Sequence, residues 1–187
     1  MNNKLPASNR IKVWDIFVRI FHWTIVTSFL ANMFFTEEGE WLHRWIGYLV
    51  LALIGLRIVW GFVGTPHARF KDFFPTPSKV ITYLKLFFKG KEPRSIGHNP
   101  LGALMMIALI LAMTGCVVTG WMQGLDRFWG VEWLHETHET FADSILVLAG
   151  LHVLGALVES FRHKENLIWS MVTGYKRAPD KADNSLL

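Results

Sequence analysis

The chain has 187 residues, of which 51% are hydrophobic and 18% charged, with a mean hydropathy of +0.28; an ordinary soluble domain carries about 25% charged residues. That excess of apolar surface excludes a plain soluble domain and predicts one that faces lipid. The formal net charge is +4, and the single cysteine, Cys116, excludes an internal disulfide framework, a Cys-ligated zinc finger and a Cys-held iron–sulfur cluster. Without a Cys-x-x-Cys-His sequence, a covalently attached c-type haem is excluded as well.

In chain order, a polar arm precedes the first apolar run, and no cleavable leader is expected. Uncharged runs cover 20–36, 45–56, 99–125 and 144–158. The second resumes after Arg57 as far as 63, and only Asp143 and Glu159 interrupt the apolar stretch around the fourth. A hydrocarbon core of about 30 Å needs roughly 20 helical residues, and backbone groups in lipid must be satisfied within the segment. These runs therefore predict four spanning helices, over about 16–36, 42–63, 99–122 and 139–161. The fold class is all-α: an integral membrane four-helix bundle, read as one domain over 1–187. Between the second and third spans, Val80, Ile81, Tyr83, Leu84, Leu86, Phe87 and Phe88 stand among Lys79, Lys85 and Lys89. That pattern predicts an additional interfacial helix. Asn99 and Pro100 suit the N-cap and first turn of the third span.

Charge sets the expected orientation. Lys4, Arg10, Lys12 and Arg19 lie in the N-terminal arm and its edge. Arg69, Lys71, Lys79, Lys85, Lys89, Lys91 and Arg94 lie in the middle connection, and Arg162, Lys164, Lys176, Arg177 and Lys181 in the tail. The other two connections hold only Arg44 and Arg127 among Glu37, Glu38, Glu40, Asp126, Glu132, Glu136 and Glu139. By the positive-inside rule both termini and the middle loop are cytoplasmic. The basic excess is then a topology signal, and nucleic acid is excluded as a partner.

Of the eight histidines, His22 and His152 fall inside the first and fourth spans, and His43 and His138 at the outer ends of the second and fourth. Ionisable groups at membrane depth face the bundle interior and need a partner. His138 and His152 are 14 residues apart, about 21 Å and close to four turns, so they share a helix face. His22 is level with His152, and His43 with His138, which makes two facing pairs at two depths. Haem with two axial imidazoles fits such pairs; zinc would need three or four close ligands, and neither pair has a carboxylate or thiolate beside it at depth. Each histidine taken alone would suit a bond to a helix carbonyl. Gly47, Gly150 and Gly155 near the pairs would admit a flat macrocycle or serve ordinary helix packing. Arg57, 14 residues after His43, and Arg19, three before His22, would each face a haem propionate or extend to the cytoplasmic surface.

Val13-Trp14-Asp15, Arg19, His22-Trp23 and Leu42-His43-Arg44-Trp45-Ile46-Gly47 resemble the opening of the bacterial cytochrome b561 and nickel–iron hydrogenase b-type cytochrome family. Arg57-Ile58-Val59-Trp60-Gly61-Phe62, Ala68-Arg69-Phe70 and Gly97-His98-Asn99-Pro100-Leu101-Gly102-Ala103 are similar to its middle. His138-Glu139, His152-Val153, Glu159-Ser160, His163, Glu165-Asn166-Leu167 and Met171-Val172-Thr173-Gly174-Tyr175-Lys176-Arg177 are similar to its end. The resemblance runs over about 13–177. It implies a bacterial inner-membrane protein with two haems b and His22, His43, His138 and His152 in the ligand positions. His135, three residues before His138, leaves the outer ligand on the fourth span with a rival.

The resemblance also implies a quinone as the membrane carrier and a periplasmic redox partner, a c-type cytochrome or hydrogenase-like protein. His98, Asn99 and Gly102 are the candidates for the quinone site, with His98 exchanging a proton near neutral pH; a plain helix cap explains Asn99 equally well. Rival functions are a superoxide-to-quinone oxidoreductase acting alone and a haem-containing membrane anchor. Membrane lipid is an expected partner, and a homo-oligomer is compatible with the sequence.

Overall fold

A computed structural model describes residues 9–179. Lys4 and Lys181, two of the basic residues used for orientation, lie outside the described residues. The four apolar runs form α1 (Ile16–Phe34), α2 (Trp41–Val63), α5 (Pro100–Gln123) and α6 (Glu132–Arg162), each long and apolar enough to cross a membrane. The middle connection holds the short α3 (Phe70–Phe73) and the expected amphipathic α4 (Pro77–Phe88). On α4, Tyr83 is buried while Ile81, Phe88, Lys79 and Lys85 are exposed. A last helix, α7 (Leu167–Thr173), follows α6.

Side-chain caps start these helices where the sequence changes character. Asp15 accepts from the Val18 amide at 2.8 Å, and Asn99 from the Gly102 amide at 2.6 Å. Asn166 does the same for Trp169 at 2.8 Å. Each satisfies a first-turn N–H that has no intrahelical acceptor. The Asp15 carboxylate also accepts from Trp60 Nε1 and Thr65 Oγ1, so one residue both starts α1 and ties it to the end of α2.

α5 is the central helix: it packs along α6 and α2, and α2 packs along α1. Val50 and Ile54 of α2, Met113 and Val117 of α5 and Ile145 of α6 form the mid-bundle core, with Ile25 and Phe29 of α1 against it. α6 has no comparable contact with α1 or α2. The bundle is thus open along one seam, between α6 and the α1–α2 pair.

Two features at the chain ends have no counterpart in the hydropathy pattern. β1 (Arg10–Lys12) pairs antiparallel with β2 (Tyr175–Arg177), Ile11 opposite Lys176. This clip closes the bundle over a second cluster of Val13, Trp14, Val18 and Ala68, joined by Ile96 and Met171. Gly174 makes the turn into β2 with φ +86°, and a Cβ there would lie 2.7 Å from the Trp14 carbonyl oxygen. Only glycine combines that conformation with that approach.

The fourth helix starts at Glu132, ahead of the expected 139. Leu134 is fully buried and holds the extra turns, while Glu132 and Glu136 sit where the positive end of the helix dipole favours carboxylates.

Candidate functional site

Four histidines line the open seam in two pairs. The rings of His22 and His152 have centroids 6.3 Å apart, and those of His43 and His138 6.2 Å apart. His135 faces away: it is exposed and lies beside Glu38 and Glu139, at 3.9 and 3.5 Å. Of the two rivals on the fourth span, His138 is the one whose ring meets His43.

The pair of His43 and His138 is held from behind. His138 Nδ1 lies 2.8 Å from the Cys116 carbonyl oxygen and 3.3 Å from Thr119 Oγ1. His43 Nδ1 lies 3.2 Å from Thr36 Oγ1, and Asn32 Nδ2 donates to the His43 carbonyl at 3.0 Å. A carbonyl accepts only, so Nδ1 of His138 carries the proton and Nε2 is left as a lone-pair donor. A Cβ on Gly120 would stand 2.9 Å from His138 Cε1, so glycine there lets the ring lie against α5. In contrast, His22 Nδ1 is buried with no hydrogen-bond partner.

Arg57 is 3% exposed, which excludes the snorkelling alternative. Its Nη2 donates to the Ala68 carbonyl at 3.2 Å, its Cζ lies 5.4 Å from the centroid of the Phe70 ring, and Nη1 is buried without a partner. Arg19 donates through Nη2 to the Val172 carbonyl, and its Nε is likewise unpartnered.

The three residues at the start of α5 are arranged differently from one another. Asn99 Oδ1 is occupied by the α5 cap, and a Cβ on Gly102 would lie 3.2 Å from that same oxygen. His98 lies between the Trp14 and Phe73 rings, tilted against each at centroid distances of 4.8 and 4.9 Å, and its Nδ1 is buried with no partner. Burial, then the nearby cations Lys176 and Arg57, push the His98 imidazole down to about 3. It is neutral at pH 7, which corrects the expectation that it exchanges a proton there. Beside it opens a cavity of about 260 Å³, lined among others by His67, Phe73, Arg94 and Gly97.

Thr36, Asn32 and Thr119 were not identified from the sequence. Each lies in an apolar helix or at its edge, where a hydroxyl or amide ordinarily bonds its own backbone, and nothing local marks a partner on another helix.

The model of the prokaryotic cytochrome b561 family matches residues 13–174. The chain belongs to that family. Among curated relatives, the probable Ni/Fe-hydrogenase B-type cytochrome subunit of Rhodobacter capsulatus is 26% identical, covering 91% of this chain and 82% of its own length. That of Azotobacter vinelandii is also 26% identical, covering 95% and 92%. No solved structure matches. The alignment to the Rhodobacter protein spans 216 positions, more than the 187 residues of this chain, so that relative carries insertions absent here.

The protein is a multi-pass membrane cytochrome, and the group its family implies is haem b. The donor set fits this group. Two imidazoles holding one metal ion through bonds of about 2 Å each would bring their ring nitrogens to about 4 Å from each other, with the ring centroids a little over about 2 Å further apart. Both pairs have that spacing, and a Cβ on Gly47, Gly150 or Gly155 would meet nothing within 4 Å, so the helix surface near the pairs is open.

Proposed function

We propose that the protein passes electrons across the bacterial inner membrane through two haems b, one held by His22 and His152 and the other by His43 and His138. The observation that carries this reading is the matched spacing of the two pairs along one open seam. Haem b supplies one-electron chemistry at its iron, and two imidazoles leave no position open for a substrate. The chain's part is to hold the imidazoles. Cys116 O, Thr119 and Thr36 orient one pair, and the unpartnered Nη1 of Arg57, on the side of His152, offers a buried positive charge to a propionate. The basic connections lie at the His22–His152 end, which by the positive-inside rule is cytoplasmic.

Quinone is the membrane carrier in this reading, and its site is the start of α5. His98 brings a neutral imidazole with a buried, unpartnered Nδ1 to the cavity there, and Asn99 and Gly102 follow it in the α5 cap. The partner at the opposite face is a periplasmic redox protein, hydrogenase-like or a c-type cytochrome. Exposed Trp41, Trp45, Trp129 and Trp133 among carboxylates suit such a docking surface. The relatives are by name probable B-type cytochrome subunits of Ni/Fe-hydrogenases.

The test is haem content together with quinol kinetics on the purified protein. Two extractable haems per chain are expected, reduced rapidly by quinol. Asn99→Leu slows that reduction by at least about tenfold, roughly 1.4 kcal/mol of barrier, with the haem spectrum intact, whereas Asn99→Asp keeps the cap and most of the rate. One haem per chain sinks the two-pair reading. Normal kinetics in Asn99→Leu moves the quinone site away from α5.

A further inference from the structure

The end of α6 carries a second set of ligating atoms, remote from the histidine pairs. Glu159 lies in its last turns, His163 caps it four residues later, and Glu92 reaches both from the connection between α4 and α5. One donor atom from each of the three lies within 4.8 Å of the others. The side chains are largely enclosed: Glu92 is 2% exposed, Glu159 12% and His163 17%.

Two of the four carboxylate oxygens are accounted for. Arg162 Nη1 donates to Glu92 Oε1 at 2.7 Å, and the Tyr83 hydroxyl donates to Glu159 Oε1 at 3.0 Å. The atoms turned toward the middle of the group are not. Glu92 Oε2 and His163 Nε2 are both buried without a hydrogen-bond partner. His163 Nε2 comes within 3.2 Å of Glu159 Oε2, yet off the line a hydrogen bond requires. A buried carboxylate oxygen and a buried imidazole nitrogen that lack hydrogen bonds are costly unless something joins them.

We propose that Glu92, Glu159 and His163 bind a divalent transition-metal cation of the Zn²⁺ or Mn²⁺ class. One imidazole and two carboxylates make a borderline donor set that suits these ions, with water completing the coordination. Arg162 bonds one carboxylate and the buried Lys176 acts on the other, so it is the convergent donor atoms, rather than net charge, that favour a cation. Arg162 and Tyr83 bond the oxygens that face outward, which leaves Glu92 Oε2 and Glu159 Oε2 aimed inward, the arrangement that outer hydrogen bonds give to metal ligands. Occupancy clamps the connection between α4 and α5 onto the end of α6.

Zn²⁺ uptake by the untagged full-length protein, measured by equilibrium dialysis and elemental analysis at neutral pH, tests the site, with Mn²⁺ and its spin resonance as a second probe. One saturable Zn²⁺ per chain is expected. Glu92→Gln and His163→Gln should each weaken it at least about tenfold while the haem spectrum is unchanged. His135→Gln, which removes the exposed group of Glu38, His135 and Glu139, should leave it intact. If Glu92→Gln fails to fold, His163→Gln at the helix cap decides alone. No saturable uptake, uptake retained in His163→Gln, or uptake lost in His135→Gln would overturn the proposal; the first result would mean that a proton on His163 is all that joins these atoms.

Discussion

The two histidine pairs have the same spacing but different support. Around His43 and His138, Nδ1 of each ring meets a fixed partner: Thr36 on one side, the Cys116 carbonyl and Thr119 on the other. Around His22 and His152 the His22 Nδ1 is buried and bare, and His152 is within electrostatic reach of an enclosed neutral His98, on which the enclosed cations Arg57 and Lys176 act. One pair is held by hydrogen bonds and the other sits in a field. The first arrangement fixes geometry and ligand basicity; the second shifts the energy of whatever charge is placed there. Tuning by field is long-ranged, so variants at that end should act without touching a ligand.

Removing a ligand gives the largest effect. His138→Ala should lower haem content from two per chain to one, and His152→Ala should do the same while removing the other redox component. His135→Ala should keep both. A pyridine haemochrome assay with a redox titration reads all three. Loss of haem from His135→Ala alone would place the ligand on the wrong face of α6 and dissolve the comparison.

Next comes the charge at the His22–His152 end. Arg57→Gln removes a buried cation level with His152, and a cation stabilises the reduced form of a nearby redox centre. The potential of that haem should fall by on the order of 50 mV, about 1 kcal/mol for one electron, while the other haem stays put. Equal shifts in both components would mean that the two ends are not electrostatically distinct.

What the sequence made legible is local or periodic. The four apolar runs, the Asn99 cap and the 14-residue spacing of His138 and His152 need nothing beyond helix geometry. The arrangement that supports the pairs does not announce itself. Thr36 and Thr119 are single hydroxyls in or beside apolar helices, and their histidine partners are set by how those helices rotate against each other. The β1–β2 clip joins Ile11 to Lys176 across nearly the whole chain, between segments too short to show a period. The start of α6 misled because acidic residues before the apolar run read as a loop, although they favour a helix N-terminus. His98 looked titratable near neutral pH because its burial by Trp14 and Phe73 comes from two other elements.

His98 sharpens the contrast through pH. Its imidazole has an ordinary value of 6.5 and is pushed down to about 3 in the fold. Between those values the unfolded chain binds a proton that the folded chain refuses, so this group's contribution to stability is present above about 6.5 and lost as the pH falls toward 3. His98→Gln should therefore have a Tm that declines less between pH 7 and pH 4.5 than that of the wild type. Parallel declines would show that the site opens and admits the proton without unfolding.

The smallest effects should come from the hydrogen bonds behind the other pair, and they should be unequal. Thr36 Oγ1 is the partner given to His43 Nδ1, whereas His138 Nδ1 has the Cys116 carbonyl at 2.8 Å in addition to Thr119 at 3.3 Å. Valine matches threonine in shape and removes only the hydroxyl. Thr36→Val should thus free the His43 ring and weaken haem retention at that pair by on the order of tenfold, the lower end of what loss of an outer partner costs a metal ligand. Thr119→Val leaves the shorter bond to the backbone in place, so retention should change by less than about threefold. Transfer of haem to an excess of apo-myoglobin, followed over time, measures both. If Thr119→Val releases haem as readily as Thr36→Val, the backbone carbonyl does not hold His138, and the two sides of that pair are supported by hydroxyls alone.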